Sequence, residues 1–315
     1  MAVLSWRTIK RWAVRVILLA ALLSLPFAFG LSGQWRPVGA PGQSVGVVRL
    51  SGTIQSVIDD PLGEGAGIEP VVAALAQARK DKRVGAVVVR INSPGGSAAA
   101  SQEVHRAILK VREAGKPVVV SMADIAASGG YYVAVAADRI LANPSTITGS
   151  IGVYAQFLDL SELAAEYGVK LHTVKTGPYK DIGNPTEPFT ESERQVIQAV
   201  VEDSLDQFIA VIAEGRNMSP DQVRRLADGR MYTGNQARNL GLIDDFGGLE
   251  DAVRLAAELA GIEGEPNVIE FGRRRRGLLQ YLRVVASGLL AQGSWVEKGL
   301  VDLLRGEAPS LTIRY

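Results

Sequence analysis

The chain has no cysteine in its 315 residues and only two histidines. The first absence excludes disulfides, thiolate metal sites and cysteine nucleophiles. The scarcity of histidine leaves little from which to build a Ser-His-Asp triad. No metal site and no cofactor are expected. The net charge is only +1, so no field of either sign argues for nucleic acid or an acidic partner. Tandem repeats and low-complexity tracts are also missing. What is present is a folded composition, 47% hydrophobic and 21% charged, long enough for one large core or two modest ones.

Acidic residues are absent before Asp59, while Arg7, Lys10, Arg11 and Arg15 crowd the start of the chain. The run "VILLAALLSLPFAFGLSG" (16–33) then carries no charge, close to the minimum for a spanning helix. Only Arg36 is basic immediately after it. This asymmetry predicts a single-pass anchor over 16–34, with residues 1–15 cytoplasmic and the remainder on the extracytoplasmic side. A cleaved signal peptide is the rival, but "FAFGLSG" makes a poor small-residue cleavage site. The Gly/Pro-rich stretch 35–43 reads as a linker.

Beyond the linker the pattern alternates. Strands are expected at 44–52, 84–93 and 117–124, and helices at 68–82 and 101–116. Strand and helix in alternation mean a parallel sheet with right-handed crossovers. A helical "SGGYYVAVAA", a strand "RILANP", a helix "SELAAEYG" and a strand "VKLHTVKTG" (169–177) follow. In "ESERQVIQAVVEDSLDQFIAVIAEGR", Ile197, Val201, Leu205, Phe208 and Ile212 form one apolar stripe of a long helix. Shorter helices are expected at 219–228 and 249–260. The α/β domain spans 44–265. Residues 266–315, with "RRRR" at 273–276 and an amphipathic stretch behind it, form an extension suited to a membrane or subunit interface.

Sites in open parallel sheets form beyond the carboxyl ends of the strands. There "INSPGGSAAAS" (91–101) offers Gly95 and Gly96 entering a helix, whose amides are unpaired donors. It lacks the spacing of either phosphate-binding loop. Ser128, in "ADIAASGGYYVAVAADRI", sits at a strand-to-helix corner of the kind that presents a nucleophile, and the Gly129 amide points the same way as a second oxyanion donor. Without a partner such a serine is a helix cap. His105 is expected on the solvent side of its helix and His172 half-buried in a strand. Neither has an obvious carboxylate to orient it. Lys180, in the Gly/Pro-rich loop 175–190, is the alternative base. A lysine serves this role when burial lowers its pKa from about 10.4 to roughly 7–8.

The ordered blocks "INSPGGS", "ADIAASGGYYVAVAADRI", "TITGSIGV", "TGPYKDIGNPTEPFTESER" and "GRMYTGNQARNLGLIDDFGGLEDA" resemble the signal peptide peptidase A family from about residue 44 to 262. That resemblance implies a Clp protease/crotonase-like fold and a membrane-anchored serine protease. Position by position, it makes Ser128 the nucleophile, Lys180 the general base and Ser150 a hydroxyl that orients the lysine. It makes Gly96 and Gly129 the backbone oxyanion donors. The unduplicated chain is like the short form of the family. A Clp-type protease would place a histidine soon after its serine, and none lies between His105 and His172. The departure favours a Ser-Lys dyad.

The family implies peptide substrates, above all remnant signal peptides, a homo-oligomeric ring, and residence in the bacterial inner membrane. Three other readings share parts of this pattern. One is a related Ser-Lys membrane protease with another substrate. The others are a crotonase-type acyl-CoA enzyme and a catalytically degenerate scaffold.

Overall fold

The computed structural model describes residues 41–56 and 66–272, all within the second of the two units into which the chain divides, Ala40–Tyr315. The expected anchor and the "RRRR" tail lie outside the described residues. Among the described residues, no helix is long and apolar enough to cross a membrane.

Parallel pairing dominates. Strands β1 (Ser44–Ser51), β4 (Val84–Ser93), β5 (Val118–Ala127), β6 (Arg139–Ala142), β9 (Asp245–Phe246) and β10 (Asn267–Phe271) lie in the order β10-β1-β4-β5-β6-β9. The short β7 (Ile147–Gly149) pairs parallel with the end of β5 and antiparallel with β8 (Met231–Thr233). A separate two-residue ladder joins β2 (Ile54–Gln55) to β3 (Ala66–Gly67). The mixed α/β class with a parallel-rich sheet therefore stands as expected.

β4 is the centre because its sequence, VGAVVVRINS, is apolar on both faces, as a strand covered on both sides must be. Val87, Val89 and Ile91 point into the larger core, against α1 (Ile68–Lys80) and α2 (Ala98–Glu113). Ala86 and Val88 point the other way, where Ala252, Ala256 and Ala257 of α8 (Leu249–Leu259) cover them. Small α8 residues let that helix approach the sheet closely.

The remaining helices are α3 (Gly129–Ala134), α4 (Ser161–Glu166), α5 (Glu191–Arg216), α6 (Pro220–Leu226) and α7 (Gly234–Asn239). α5 starts at a capping box, in which Thr190 Oγ1 accepts the Glu193 N–H and the Glu193 carboxylate accepts the Thr190 N–H. It ends at Asn217 in the left-handed region, φ 51°. Its stripe is only partly used: Phe208, Ile209 and Ile212 are buried, Ile197, Val201 and Leu205 half-buried, and Val196 and Val200 exposed. The buried end is clamped by chemistry as well as packing. Arg216, whose side chain is 9% exposed, holds both carboxylate oxygens of Asp244 at 3.0 and 3.1 Å. Asp244 also accepts the Ile140 N–H at 2.7 Å, and Tyr131 Oη donates to the Leu242 carbonyl at 2.8 Å.

One expected element is corrected. "VKLHTVKTG" (169–177) forms no strand, and Val169, Leu171 and Val174 are exposed. It alternates like a strand but pairs with none of the described strands. The edge strand β10 was not anticipated from the sequence.

At the contact of α5 with the end of α3, a Cβ built on Gly215 would lie 2.3 Å from the Val135 carbonyl oxygen. Helix propensity alone would make Gly215→Ala stabilising by about 1 kcal/mol. The clash reverses the sign, to a destabilisation of roughly 1–3 kcal/mol. Thermal melting checks this, and an unchanged or raised Tm would refute the tight contact.

Candidate active site

Among the described residues, three non-glycine residues have positive φ: Ser128 (54°), Ser150 (50°) and Asn217. Such backbone costs on the order of 1–3 kcal/mol and persists only where its surroundings impose it. Two of the three meet in one place. β5 and β7 run parallel with Ala127 opposite Gly149, so Ser128 and Ser150 are the next residues on neighbouring strands. The Ser128 N–H donates to the Gly149 carbonyl at 2.8 Å, and the Ser150 N–H to the Arg230 carbonyl at 2.8 Å. Thr148 Oγ1 donates to the Ala126 carbonyl at 2.7 Å, fixing the register.

Ser128 is 5% exposed and occupies the N-cap position of α3, where its side chain makes no capping hydrogen bond. Its hydroxyl is therefore not spent on the helix, which removes the bland reading of this serine. It opens instead onto a cavity of about 300 Å³, lined by Ser128, Ser150, Val153, Tyr154, Leu205 and Asp228 among others.

The glycine loop approaches from β4. Ile54 N–H donates to the Gly95 carbonyl at 2.9 Å, and Ser97 N–H donates to the Ile54 carbonyl at 2.8 Å. In a parallel bridge of this kind the residue between, Gly96, turns its own N–H to the opposite side. There Gly129 is its neighbour: a Cβ built on Gly129 would sit 3.3 Å from Gly96 N and 2.4 Å from Ser101 Oγ. A Cβ on Gly96 would lie 2.1 Å from the Ile54 carbonyl oxygen. Neither position has room for a side chain, and both amides lie beside the serine.

Lys180 is placed differently. It lies in a turn, exposed, and is not among the residues lining the Ser128 cavity. Its side chain has no hydrogen bond or ion pair among the described residues. Its neighbour Asp181 is taken by Lys175 at 2.7 Å. That pair holds the Lys175 ammonium up and the Asp181 carboxylate down, chiefly through the hydrogen bond between them. The segment around it packs on itself, with Phe157 stacked on Phe189 at 5.3 Å. It also leaves Tyr154, Leu158, Leu163, Tyr167 and Tyr179 exposed. The structure thus brings together Ser128, Ser150, Gly96 and Gly129, and leaves Lys180 outside that group within one chain.

The histidines are both elsewhere. His172 is exposed in irregular chain, not half-buried in a strand. His105 is not on the solvent side. Its ring stands edge-on to Tyr132 at 5.3 Å, and it lines a larger cavity of about 910 Å³ with Arg112, Lys116, Asp138 and Glu214. Among the described residues no group of three or more His, Asp or Glu side chains could hold a metal ion.

The model of peptidase family S49 matches residues 110–263, a stretch that includes Ser128, Ser150 and Lys180. A Synechocystis protein provisionally named a protease is 40% identical over 205 residues, 65% of this chain and 73% of its own length. This chain belongs to peptidase family S49. Protease 4 of Salmonella typhi is 36% identical over 237 residues, and the chain spans 38% of it. An Enterococcus faecium protein provisionally named signal peptide peptidase SppA is 37% identical over 217 residues, 63% of its length. Likeness to proteins of these names makes the chain an S49 peptidase of the SppA kind.

Sequence reasoning missed the cavity wall at Asp228 and Gly229 and the buried Ser101 behind Gly129. In the sequence, both appear as ordinary loop and helix residues. It also misread His105, whose burial, with the Arg112 and Arg106 charges adding to it, pushes the imidazole down to about 4. The unfolded imidazole titrates near 6.5. Below pH 6.5 the unfolded chain therefore takes up a proton that the folded chain refuses until about pH 4. Stability is lost across that window, by up to about 3 kcal/mol from this group. His105→Phe keeps a ring against Tyr132 and removes this share of the acid sensitivity. Urea unfolding at a series of pH values tests it, and identical acid limbs for the two proteins would refute it.

Proposed function

We propose that this S49 peptidase is a serine endopeptidase that cleaves short apolar peptides, remnant signal peptides above all, with Ser128 as nucleophile and Lys180 as general base. The observation that carries the reading is the positive-φ corner at Ser128. It buries an otherwise unengaged hydroxyl in a cavity beside Ser150 and two crowded glycine amides.

The chemistry is acyl transfer. The neutral Lys180 amine removes the Ser128 hydroxyl proton as Oγ attacks the scissile carbonyl carbon. The Gly96 and Gly129 N–H groups hold the oxyanion. The lysinium then gives its proton to the departing amine, and the C–N bond breaks. A water molecule, deprotonated by the same amine, attacks the acyl ester and frees Ser128. Ser150 orients the amine.

Because Lys180 is exposed and stands outside the Ser128 cavity of its own chain, a neighbouring copy in a homo-oligomeric ring supplies it. Two features support that assignment: the exposed apolar residues around Lys180 and the exposed Val196 and Val200 of α5. Anchoring through 16–34 in the bacterial inner membrane, with the catalytic domain outside the cytoplasm, would place the site near apolar peptides left in the bilayer.

Full-length Ser128→Ala and Lys180→Ala are each expected to lose on the order of 10⁴-fold or more in kcat/KM on a synthetic signal peptide. A fluorophosphonate probe should label Ser128 in the wild type. Dissociating, mixing and reassembling the two inactive variants should restore part of the activity. A Lys180→Ala enzyme near the wild-type rate would end the dyad. No recovery from a correctly assembled mixture would return Lys180 to its own chain.

A further inference from the structure

Ser93 is buried next to the site, yet the mechanism above does not use it. It is wholly unexposed and ends β4, where the pairing with β5 slips between Ile91 and Ser93. Asn92 bridges the irregularity, its Oδ1 accepting the Ile125 N–H at 3.2 Å. Freed from a regular ladder, Ser93 turns its hydroxyl to the loop ahead and accepts the Gly95 N–H at 3.1 Å.

We propose that Ser93 is a positioning residue that sets the orientation of the Gly96 oxyanion donor through Gly95. The proposal rests on the reading of Ser128 as nucleophile. Gly95 is held at both ends: its N–H by Ser93 Oγ and its carbonyl by the Ile54 N–H at 2.9 Å. A trans peptide carries its C=O and the following N–H in opposite directions. Fixing the Gly95 carbonyl toward Ile54 therefore aims the Gly96 N–H at the Gly129 side. Gly95 and Gly96, at φ 106° and 154°, have no Cβ to resist rotation of the peptide between them. The two hydrogen bonds supply that resistance.

Ser93 also touches the other donor segment. A Cβ built on Gly130 would lie 2.8 Å from the Ser93 carbonyl oxygen and 3.6 Å from its Cβ. One residue thus braces the loop carrying Gly96 and the turn carrying Gly129. Without its hydroxyl, the buried Gly95 N–H has lost its acceptor, and rotating the peptide is the way to relieve it.

An oxyanion donor acts in the transition state, so Ser93→Ala should lower kcat by roughly tenfold to a hundredfold while leaving KM nearly unchanged. Affinity for a peptide aldehyde, whose adduct with Ser128 places an oxygen in the same spot, should fall by a similar factor. Affinity for the corresponding amide peptide, measured in the Ser128→Ala background with and without Ser93→Ala, should stay the same. A purely structural role would weaken both ligands together. Unchanged kcat, or equal loss for the aldehyde and the amide, overturns the proposal. If Ser93→Ala does not fold, Ser93→Cys keeps a similar volume with a weaker acceptor. It should give an intermediate kcat, and a wild-type kcat there also overturns the proposal. Absence of both hydrolysis and fluorophosphonate labelling in the wild type overturns the Ser128 reading and this one with it. Labelling with unchanged kcat in Ser93→Ala overturns this one alone.

Discussion

The in-register pairing of β5 with β7 is the constraint on which the site depends. Ala127 opposite Gly149 ends two parallel strands at one level, and a serine follows each. A slip of one residue would send alternate side chains to the other face and separate Ser128 from Ser150. The Thr148 hydroxyl on the Ala126 carbonyl and the Ser128 N–H on the Gly149 carbonyl oppose that slip. β7 is held in turn by β8, with Thr148 opposite Tyr232. Gly149 faces the Tyr232 ring so closely that an added Cβ would lie 2.5 Å from it. Since β8 follows directly on Asp228 and Gly229, the same pairing delivers the far wall of the cavity.

The strained backbone at Ser128 and Ser150 is sustained by its surroundings rather than by local preference. Both residues donate their N–H groups to carbonyls of a neighbouring segment, so relaxing either φ would break a hydrogen bond. The Ser128 side is also walled in, because an added Cβ would meet neighbouring atoms at 2.8 Å on Gly95, 2.1 Å on Gly96, 2.4 Å on Gly129 and 2.8 Å on Gly130. Close packing of backbone against backbone makes the corner rigid, and rigidity is what a preorganised oxyanion site requires. The cost falls on the fold as a whole, which the two-sided core around β4 is large enough to meet.

Where periodicity was strong, the sequence was legible to the residue. β4 runs 84–93 and α5 runs 191–216, as read from an apolar run and from an apolar stripe with charges opposite. Ser128, Gly96 and Gly129 were legible as candidates because their motifs sit at strand ends, whereas Ser150 reads as an ordinary turn serine and entered only through the family resemblance. The failures share a cause. The stretch 169–177 has the alternation of a strand, but strands are made by partners and it has none among the described strands. β10 (NVIEF) is short and gains its identity from lying beside β1. His105 is flanked by the charged Glu103 and Arg106 in the sequence, yet its ring is covered. Tyr132, which covers it, comes from another helix turn that helical spacing cannot reveal. Tertiary contacts decided each case.

Under the dyad reading, the division of the site between a rigid half and an exposed half has a consequence. The nucleophile, its strained corner and the oxyanion amides are buried in the fold. The base rides on a segment whose apolar side chains, Leu158, Tyr167, Leu171 and Val174, face water. An exposed apolar surface of this extent asks for a cover, and the half-used stripe of α5 is of the same apolar kind. If copies cover one another there, burial of those side chains would drive assembly and bring Lys180 into a drier setting in the same event. A lysine needs such a setting to give up its proton near neutrality. Assembly and activation would then be one step, and a lone chain would carry a formed oxyanion site with no base to use it.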